Sequence, residues 1–402
     1  MNKKIFIAAY HQSKFGKLMD LTVPQIVDKA ISGACAAIGA DSAVLDCGSI
    51  GAACNFSLNE QGLLAGLMAM TPGLAGKPIE AVENACASGG QAVLSVMQKL
   101  LLGMGETGIA VGYEKMRDDE GKMDGKLIGK VLGYFSYPAE RPGKTLVFPH
   151  IFAEIMAAYM AEYGVTEQEL ARIAVEEYAN ANLNPLAQMH KVKVTLDDVM
   201  RIEGINRYVA DGLPLKTYDC SQITDGYAAL ILATEEGLTR LGVRAADCVE
   251  IAGFGQATDP LGRCGRDVLR PVGARRAMAQ AYRMADVTPD EINVAEVHDC
   301  FTVMGALATE VIGKAEEGQG ARYWAEGKAA PDGECGINTS GGLIAKGHPI
   351  GATGIAMIGW SAWQLLGKCP AGLQVSDARA AATFNIGGPV CASVCTVLKP
   401  AA

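Results

Sequence analysis

Residues 78–102 read PIEAVENACASGGQAVLSVMQKLLL. The first five, Pro78–Val82, form a short apolar run that predicts a β-strand, and Ser88–Leu102 has the apolar spacing of a buried helix. A tight connection of small residues joins the two elements, and Cys86 lies within it, just before the helix. Short strands that alternate with helices build α/β proteins, so this stretch predicts an α/β fold.

The same alternation continues on both sides of this stretch. Further strands are predicted at Lys4–Ala9, Thr107–Gly112, Tyr227–Ala233, Cys248–Gly253, Asn293–Val297, Ala380–Asn385 and Ala392–Leu398. Further helices are predicted at Val23–Ile38, Thr302–Ile312 and Ala352–Leu366. This alternation favours a mainly parallel sheet, and the second half repeats the character of the first, which suggests a duplicated fold.

Residues 115–217 interrupt the pattern with clusters of charge, several prolines and two amphipathic helical patterns, Ile155–Tyr163 and Glu167–Asn180. We interpret this segment as an inserted helical subdomain. Its first part, 115–145, holds seven basic and five acidic side chains in a chain of net charge −9. This local excess of positive charge suits an anionic ligand, although a mixed solvated surface is the commoner origin of such a pattern.

Composition excludes several classes of protein. The 402-residue chain is half hydrophobic, and its net charge of −9 argues against nucleic-acid binding. The longest uncharged apolar stretch, Gly347–Leu366, contains a histidine, a proline and several glycines, so we expect no membrane span. The start, MNKKIFIAAYHQ, has too short an apolar core for an export signal. We therefore expect a cytoplasmic protein with reduced thiols. Its twelve cysteines include no CxxC pair, which argues against a structural zinc site.

Cys86 is a candidate nucleophile. It precedes a predicted helix, whose free N–H groups and dipole favour a thiolate, and its small neighbours leave room for a substrate. A free cysteine in an apolar setting is more commonly a packing residue. This stretch alone leaves both interpretations open.

A glycine-rich segment, NTSGGLIAKGHPIGATG, occupies residues 338–354. Its glycines allow the backbone to approach a ligand, and His348 is held in an extended loop by the following proline. His348 is therefore a candidate for proton transfer or oxyanion binding, with a structural turn as the alternative.

Two more segments follow predicted strands, where catalytic groups collect in α/β folds. EVHDCFT at 296–302 contains His298 and Cys300, which either take part in chemistry or cap a helix and pack. FNIGGPV at 384–390 has two glycines that either turn a backbone N–H toward a ligand or form a plain turn.

Together, and in this order, NACASGG around Cys86, HDCF, GHPIGATG and NIGG resemble signatures of the thiolase superfamily. GIAVGYEKM (108–116) and SQITDGYAALILAT (221–234) resemble further thiolase signatures, so the resemblance covers nearly the whole chain. It implies a thiolase fold: two similar α/β halves form a five-layered α-β-α-β-α core with an inserted helical loop domain. The implied boundaries are 1–116 with 218–243 for the N-terminal half, 117–217 for the loop domain that covers coenzyme A, and 244–402 for the C-terminal half.

Two positions depart from conventional thiolases, which carry Asn-Glu-Ala-Phe in place of HDCF and a second catalytic cysteine where this chain has Asn385. The chain therefore resembles the sterol-carrier-protein and archaeal type of thiolase. In the sterol-carrier-protein type the HDCF cysteine, here Cys300, takes over acid/base work.

The resemblance implies that Cys86 attacks a 3-oxoacyl-CoA to form an acyl-enzyme, and that Cys300 protonates the departing enolate and then deprotonates coenzyme A. His348 would help to form the thiolate and, with His298, bind the thioester oxyanion. The backbone N–H groups of Cys86 and Gly387 would bind the tetrahedral intermediate.

Three further residues are implied in binding substrate or coenzyme A: His150, Asn385 and Gly347. Coenzyme A acts as a substrate, and no metal or bound cofactor is implied. Thiolases are dimers or tetramers, so the resemblance implies a homodimer or tetramer for this chain. Relatives of the HDCF type often work beside a small OB-fold protein with a zinc ribbon, so we expect such a partner subunit.

The implied reaction is thiolytic cleavage of a 3-oxoacyl-CoA or the reverse Claisen condensation. The substrate is either bulky, branched or aromatic, such as benzoylsuccinyl-CoA, or a simple one such as acetoacetyl-CoA. Ketoacyl synthases and hydroxymethylglutaryl-CoA synthases share the nucleophile but do not combine GHPIGATG with HDCF. An alternative of another class is a non-catalytic subunit that binds coenzyme A or acts as a scaffold.

Overall fold

The computed structural model describes residues 3–118 and 121–401. The strands within them are β1 (Phe6–Gln12), β2 (Cys47–Gly51), β3 (Ile79–Val82), β4 (Thr107–Glu114), β5 (Gly226–Ala233), β6 (Val249–Thr258), β7 (Val294–Val297), β8 (Gly336–Ile337), β9 (Ala381–Gly387) and β10 (Ala392–Pro400). They pair into a continuous sheet in the order β3-β2-β4-β5-β1-β6-β10-β9-β7-β8.

The strand order shows that the fold is built twice. The first five strands follow the order β3-β2-β4-β5-β1, and the last five follow the equivalent order β8-β7-β9-β10-β6. Parallel and antiparallel pairs also fall at equivalent places in the two halves. The halves meet at β1 and β6, through the residue pairs Phe6–Glu250 and Ile7–Val249. The predicted pair of similar halves is therefore confirmed.

The sheet is mixed, so the expectation of a mainly parallel sheet is wrong. β2 is parallel to β3 and β4, and β7 is parallel to β8 and β9, whereas the other described neighbours are antiparallel. One cause of the antiparallel pairs is the tight turn between β9 and β10, which makes these two strands antiparallel. The other is the long insert after β4, which returns the chain to the end of β4, so that Gly226 starts β5 opposite Glu114.

Helices lie between the strands. In the described residues they are α1 (Val23–Ala36), α2 (Asn55–Leu58), α3 (Leu64–Ala69), α4 (Ser88–Leu101), α5 (Gly125–Gly133), α6 (Val147–Tyr163), α7 (Glu167–Leu183), α8 (Leu196–Met200), α9 (Glu235–Leu241), α10 (Val272–Ala285), α11 (Thr302–Val311), α12 (Gly320–Ala325) and α13 (Ile350–Leu365). The helix predicted from Ile155 begins earlier, at Val147, because Pro149 falls in its first turn, where proline is tolerated.

Nine of the described strands and helices were not predicted from the sequence: β2, β8, α2, α3, α5, α8, α9, α10 and α12. β2 reads CGSIG, which has few β-branched residues, and β8 is two residues long. α10 carries several charged residues and few large apolar ones, although its alanines pack on β6 and β10.

Helices α4 and α13 form the central layer of the molecule. They pack against each other, and α13 contacts β4 and β5 of the first half as well as β7 and β9 of the second. Helix α1 covers the first half from outside and α10 covers the second, which completes the five layers. Glycines bring the two central helices close together, because a Cβ atom on Gly89 would lie 2.5 Å from the carbonyl oxygen of Gly351. This approach places the first turns of α4 and α13 side by side.

The insert between β4 and β5 contains α5 to α8. Helix α5 packs on α6, and α7 packs on α11, α12 and a single π turn at Gly342–Lys346. The insert therefore lies against the second half, over the segment that precedes α13. None of the described helices combines the length and apolarity needed to cross a membrane.

Candidate active site

A cavity of about 110 Å³ lies where the two central helices begin. Four of the predicted catalytic side chains line it together: Cys86, His298, Cys300 and His348. Most of the remaining wall is apolar and includes Met116, Leu132, Phe135, Phe148, Phe301 and Ile350. Segments that are distant in sequence therefore converge on one small, mostly apolar space.

Cys86 lies in the tight turn between β3 and α4. Ala85 before it has a φ of 48°, a left-handed conformation that alanine rarely adopts. The Ser88 hydroxyl braces the turn, since it accepts from the backbone N–H of Asn84 at 2.9 Å and donates to the carbonyl of Ala85 at 2.6 Å. The turn holds the Cys86 thiol toward the cavity, where 8% of the residue remains exposed.

The Cys86 thiol is protonated in the resting site. Burial raises its pKa to about 12, and the negative charges of Glu114 and Glu83 add to the rise. These effects outweigh the helix N-terminus that was expected to favour a thiolate. A base must therefore remove the proton before this sulfur can attack.

His348 has the features of that base. Its Nδ1 lies 2.7 Å from the Thr353 hydroxyl, which itself donates to the carbonyl of Pro349 at 3.0 Å. Because Thr353 has one hydrogen and a carbonyl can only accept, Nδ1–H of His348 must be the donor to Thr353. The free lone pair is on Nε2, which has no partner among the described residues. Burial lowers the pKa of His348 to about 3, so the ring is neutral.

His298 carries its proton on the other nitrogen. The Asn385 amide is oriented by the backbone N–H of Gly90, which donates to its Oδ1 at 3.3 Å, and by the carbonyl of Cys86, which accepts from its Nδ2 at 3.0 Å. The same Nδ2 lies 3.1 Å from Nδ1 of His298, which must therefore accept. Burial, and then the nearby His348, lower the pKa of His298 well below its usual value. The neutral ring thus bears its hydrogen on Nε2, away from Asn385.

Asn385 supports the site from behind. It is 2% exposed, and both polar ends of its side chain bind protein groups. The family resemblance implies a role in substrate or coenzyme A binding for this residue, and in the structure its amide contacts His298 and the Cys86 turn. Sequence offered one signal for this position: a buried strand residue that is polar.

Cys300 is also buried, at 6% exposure. Burial raises the pKa of its thiol well above the usual value, and the proximity of Cys86 and Asp299 adds to the rise. The Asp299 carboxyl accepts from the backbone N–H groups of Leu343 and Ile344 at 2.8 and 3.1 Å, which ties the HDCF segment to the π turn. Asp299 thus positions the neighbouring Cys300, a role that the sequence did not predict.

Glu114 is a second buried carboxyl that the sequence did not predict. It accepts from the backbone N–H groups of Ala53, Cys54 and Gly351 at 2.9–3.2 Å and so links β4 to the start of α13. Burial raises its pKa to about 7. Glu114 therefore holds the backbone around Cys86 in place and also raises the pKa of its thiol.

The other predicted residues lie around this centre. Gly387 packs against the turn that carries Cys86, and its neighbour Gly388 lines the cavity. Gly347, with a φ of 113°, packs on Thr224 directly before His348. His150 lies on α6 with Nε2 3.3 Å from a Glu154 carboxylate oxygen, one residue beyond the part of α6 that lines the cavity.

A larger cavity of about 1040 Å³ lies on the other side of α5. Asp118 and Asp124 line this cavity. Five of the seven basic residues of the 115–145 segment line it as well: Lys122, Lys126, Lys130, Arg141 and Lys144. The other two, Lys115 and Arg117, are buried and donate to backbone carbonyls. Asp119 and Glu120 lie outside the described residues. The basic residues of this segment thus surround a cavity that α5 separates from Cys86.

Two family models match the chain. One, described as thiolase, N-terminal domain, covers residues 5–236, and the other, described as thiolase C-terminal domain-like, covers residues 258–400. These matches span both halves of the duplicated fold.

Named relatives agree with the models. The chain is 35% identical over 386 residues to an acetyl-CoA acetyltransferase of Methanothermobacter thermautotrophicus, a match that covers 96% of this chain and 97% of the relative. It is 28% identical over 401 residues to the benzoylsuccinyl-CoA thiolase subunit BbsB of Thauera aromatica, covering 97% of this chain and 96% of the relative.

A solved structure described as Ltp2-ChsH2(DUF35) aldolase has the same fold. It superposes with a TM-score of 0.80 at 21% identity, and the match covers 99% of this chain and 98% of the solved one. The two family models and the archaeal relative show the family from the sequence, and this superposition shows that the fold is the same. The chain belongs to the thiolase family.

Proposed function

We propose that the protein catalyses CoA-dependent cleavage of a 3-oxoacyl-CoA, or the reverse Claisen condensation, through an acyl-Cys86 intermediate. One observation carries the proposal. Beside a buried thiol, His348 presents an unpartnered acceptor nitrogen while His298 presents a donor N–H. A thiol, a base and an oxyanion donor in one cavity are the groups that acyl transfer to sulfur requires.

The reaction starts with the proton of Cys86. His348 Nε2 takes it, and the thiolate attacks the keto carbon of the substrate. The backbone N–H groups of Cys86 and Gly387 stabilise the oxyanion that forms there. When the C–C bond breaks, the departing enolate receives hydrogen bonds from Nε2–H of His298 and from the now protonated Nε2 of His348. Stabilising this enolate lowers the barrier to cleavage.

Cys300 completes the proton transfers. As a thiol of raised pKa it donates a proton to the enolate carbon and leaves the shortened acyl-CoA. The resulting thiolate is a strong base, so it deprotonates the thiol of incoming coenzyme A, which then attacks the acyl group on Cys86. In the condensation direction the same groups act in reverse order.

In this proposal residues 1–116 and 218–243 form the N-terminal half, and residues 244–402 form the C-terminal half. The inserted segment, 117–217, is the loop domain that covers coenzyme A. The basic cavity beyond α5 suits the nucleotide phosphates, because five cationic side chains surround it. From there the pantetheine arm passes the start of α6, near His150, to reach Cys86.

The size of the small cavity favours the acetoacetyl-CoA alternative over a bulky or aromatic substrate. A pocket of about 150 Å³ holds a benzene ring. The cavity beside Cys86 measures about 110 Å³ and must also admit the end of the pantetheine arm. An acetyl group on Cys86 fits this space, whereas a benzoyl group requires the aromatic wall to move. The similarity to BbsB keeps the aromatic substrate as the second candidate.

Two kinds of partner extend the proposal. β3 is an edge strand of the described sheet, and the nearby segment exposes Phe56, Leu63 and Met70 at 77%, 83% and 73%, which suits pairing with a second copy of the chain. A small OB-fold protein with a zinc ribbon is the second proposed partner. Two similar proteins support this partner: BbsB is one subunit of a benzoylsuccinyl-CoA thiolase, and the solved aldolase combines Ltp2 with ChsH2(DUF35).

The proposed compartment is the cytoplasm, which suits twelve cysteines that are all unpaired thiols. A non-catalytic role as a CoA-binding scaffold is disfavoured, because a scaffold has no need for an unpartnered histidine nitrogen beside a buried thiol.

The test is mass spectrometry of the purified chain after incubation with acetyl, straight-chain, branched and aromatic CoA esters, followed by peptide mapping. We expect an acyl group on Cys86, with acetyl the preferred donor, and no adduct in Cys86→Ala. The absence of any adduct, with a small partner subunit also supplied, would favour the non-catalytic alternative. A preference for the aromatic donor would favour the second substrate.

A further inference from the structure

We propose that Cys86, His298 and His348 form a binding site for a thiophilic divalent metal ion such as Zn²⁺, and that the bound ion reversibly blocks the nucleophile. The sulfur of Cys86 and one ring nitrogen of each histidine lie within 4.8 Å of one another. Tetrahedral Zn²⁺ holds such atoms roughly 3.5 Å apart, given its bond lengths of about 2.0–2.3 Å. Modest rotations of the three side chains therefore close the site.

His348 already has the form of a metal ligand. Its Nε2 is unpartnered, faces the cavity and belongs to a residue that is 7% exposed. Its Nδ1–H donates to Thr353, and metal-bound histidines characteristically donate their other N–H to an oxygen acceptor. Cys86 and His348 thus supply a soft sulfur and a neutral nitrogen, the ligand pair that Zn²⁺ prefers.

His298 is held in the other tautomer, with its proton on Nε2, and this limits the affinity of the site for the metal ion. Binding a metal through Nε2 would move its proton to Nδ1, which faces the N–H of Asn385. Asn385 resists turning over, because Gly90 donates to its oxygen and the Cys86 carbonyl accepts from its nitrogen. An aspartate at position 385 would instead accept from Nδ1–H and produce a carboxylate–histidine–metal arrangement.

The chemistry is an exchange of a proton for a metal ion. The Cys86 S–H bond breaks, the proton passes to solvent, and the thiolate binds Zn²⁺ with no change in oxidation state. With both the Cys86 sulfur and His348 Nε2 bound, the nucleophile and its base are occupied. The fourth position of the ion faces the cavity and takes a water or a thiol.

Co²⁺ is the probe, because a tetrahedral thiolate complex absorbs light where the metal-free protein does not. Titration of the purified full chain should produce a sulfur-to-cobalt charge-transfer band. The band should disappear in Cys86→Ala and remain in Cys264→Ser, which removes an exposed cysteine away from the site. A titration without the band, or a band that persists in Cys86→Ala, would overturn the proposal.

Asn385→Asp tests the limiting role of the amide. We expect Co²⁺ to bind this variant with an affinity at least tenfold higher than that of the natural chain. Equal or weaker binding in a folded variant would refute the role assigned to Asn385. Should this variant fail to fold, the natural chain still supplies a test: Zn²⁺ should slow iodoacetamide labelling of Cys86 at least tenfold, and unchanged labelling would overturn the proposal. None of these readouts uses acyl transfer, so they are independent of the proposed reaction.

Discussion

His298 and His348 meet edge to face, with ring centroids 5.0 Å apart and planes at 88°, and they carry their protons on opposite nitrogens. Asn385 fixes the proton of His298 on Nε2, whereas Thr353 fixes that of His348 on Nδ1. Two identical side chains thereby become a donor and an acceptor in one cavity. The division of labour depends on their hydrogen-bond partners rather than on the histidines themselves.

Thr353 should therefore be required for efficient acylation. Thr353→Val keeps the shape but removes the acceptor for Nδ1–H, so the proton of His348 can move to Nε2 and the base is lost. We expect acyl-Cys86 formation to slow roughly a hundredfold or more, within the range that general-base catalysis contributes. Single-turnover kinetics with acetyl-CoA measure this rate, and Thr353→Ser, which restores a hydroxyl, is the control. A valine variant with natural kinetics would remove Thr353 from the mechanism.

Cys300 should be needed after the first acyl transfer. Cys300→Ala retains Cys86 and His348, so it should still form acyl-Cys86 from acetyl-CoA. Turnover of a 3-oxoacyl-CoA should fall by roughly a hundredfold or more, because the proposed proton donor to the enolate carbon is lost. Intact mass and steady-state assays on the same preparation give the two readouts. Natural turnover in this variant would exclude Cys300 as the acid.

The raised pKa of Cys86 predicts its response to pH. With a pKa of about 12 in the fold, alkylation of Cys86 by iodoacetamide should rise about tenfold per pH unit from 7 to 10 without a plateau. Burial is the main cause and the charge of Glu114 is the second, so Glu114→Gln should raise the alkylation rate at pH 8 roughly threefold, as for a half-unit fall in pKa. A plateau near pH 7 would contradict the buried, protonated thiol.

The same shift affects stability. The fold holds the thiol proton more tightly than the unfolded chain, where the pKa is near 9.0. This contribution is complete below pH 9 and is lost as the pH rises toward 12. Urea unfolding at pH 8 and pH 10 should show a smaller alkaline loss of stability in Cys86→Ala than in the natural chain.

The basic cavity beyond α5 should determine the affinity for coenzyme A. Lys126 and Lys130 both line it and are exposed, so replacing both with alanine removes charge without disturbing the core. We expect the KM for coenzyme A to rise roughly threefold to tenfold, as for the loss of two exposed ion pairs, with kcat unchanged. Lys29→Ala, on the exposed face of α1, should leave both constants unaltered. An unchanged KM in the double variant would exclude this cavity as the nucleotide site.

Much of the fold could be predicted from sequence because its strands and helices are strongly patterned. The turn at Cys86 was visible as small residues between a strand and a helix, and the motifs around His298, Cys300 and His348 indicated the family. The supporting residues could not be predicted in this way. Thr353 is close in sequence to His348, but Asn385 and Glu114 act through hydrogen bonds that join distant segments, such as that between Asn385 and Cys86, which are 299 residues apart. Local sequence patterns do not reveal such long-range contacts.

Because the strand order is repeated in the two halves, parts of the site occupy equivalent positions in the two halves. Cys86 precedes α4 in the first half, and His348 precedes α13, the equivalent helix of the second. Cys54 follows β2 by three residues, as Cys300 follows β7, yet only Cys300 lines the described cavity. The proposed nucleophile and the proposed base thus occupy equivalent positions in the two halves of the fold. Because the two halves have different sequences, one of these positions holds a thiol and the other holds an imidazole, so a repeated backbone supports two different chemical groups in one cavity.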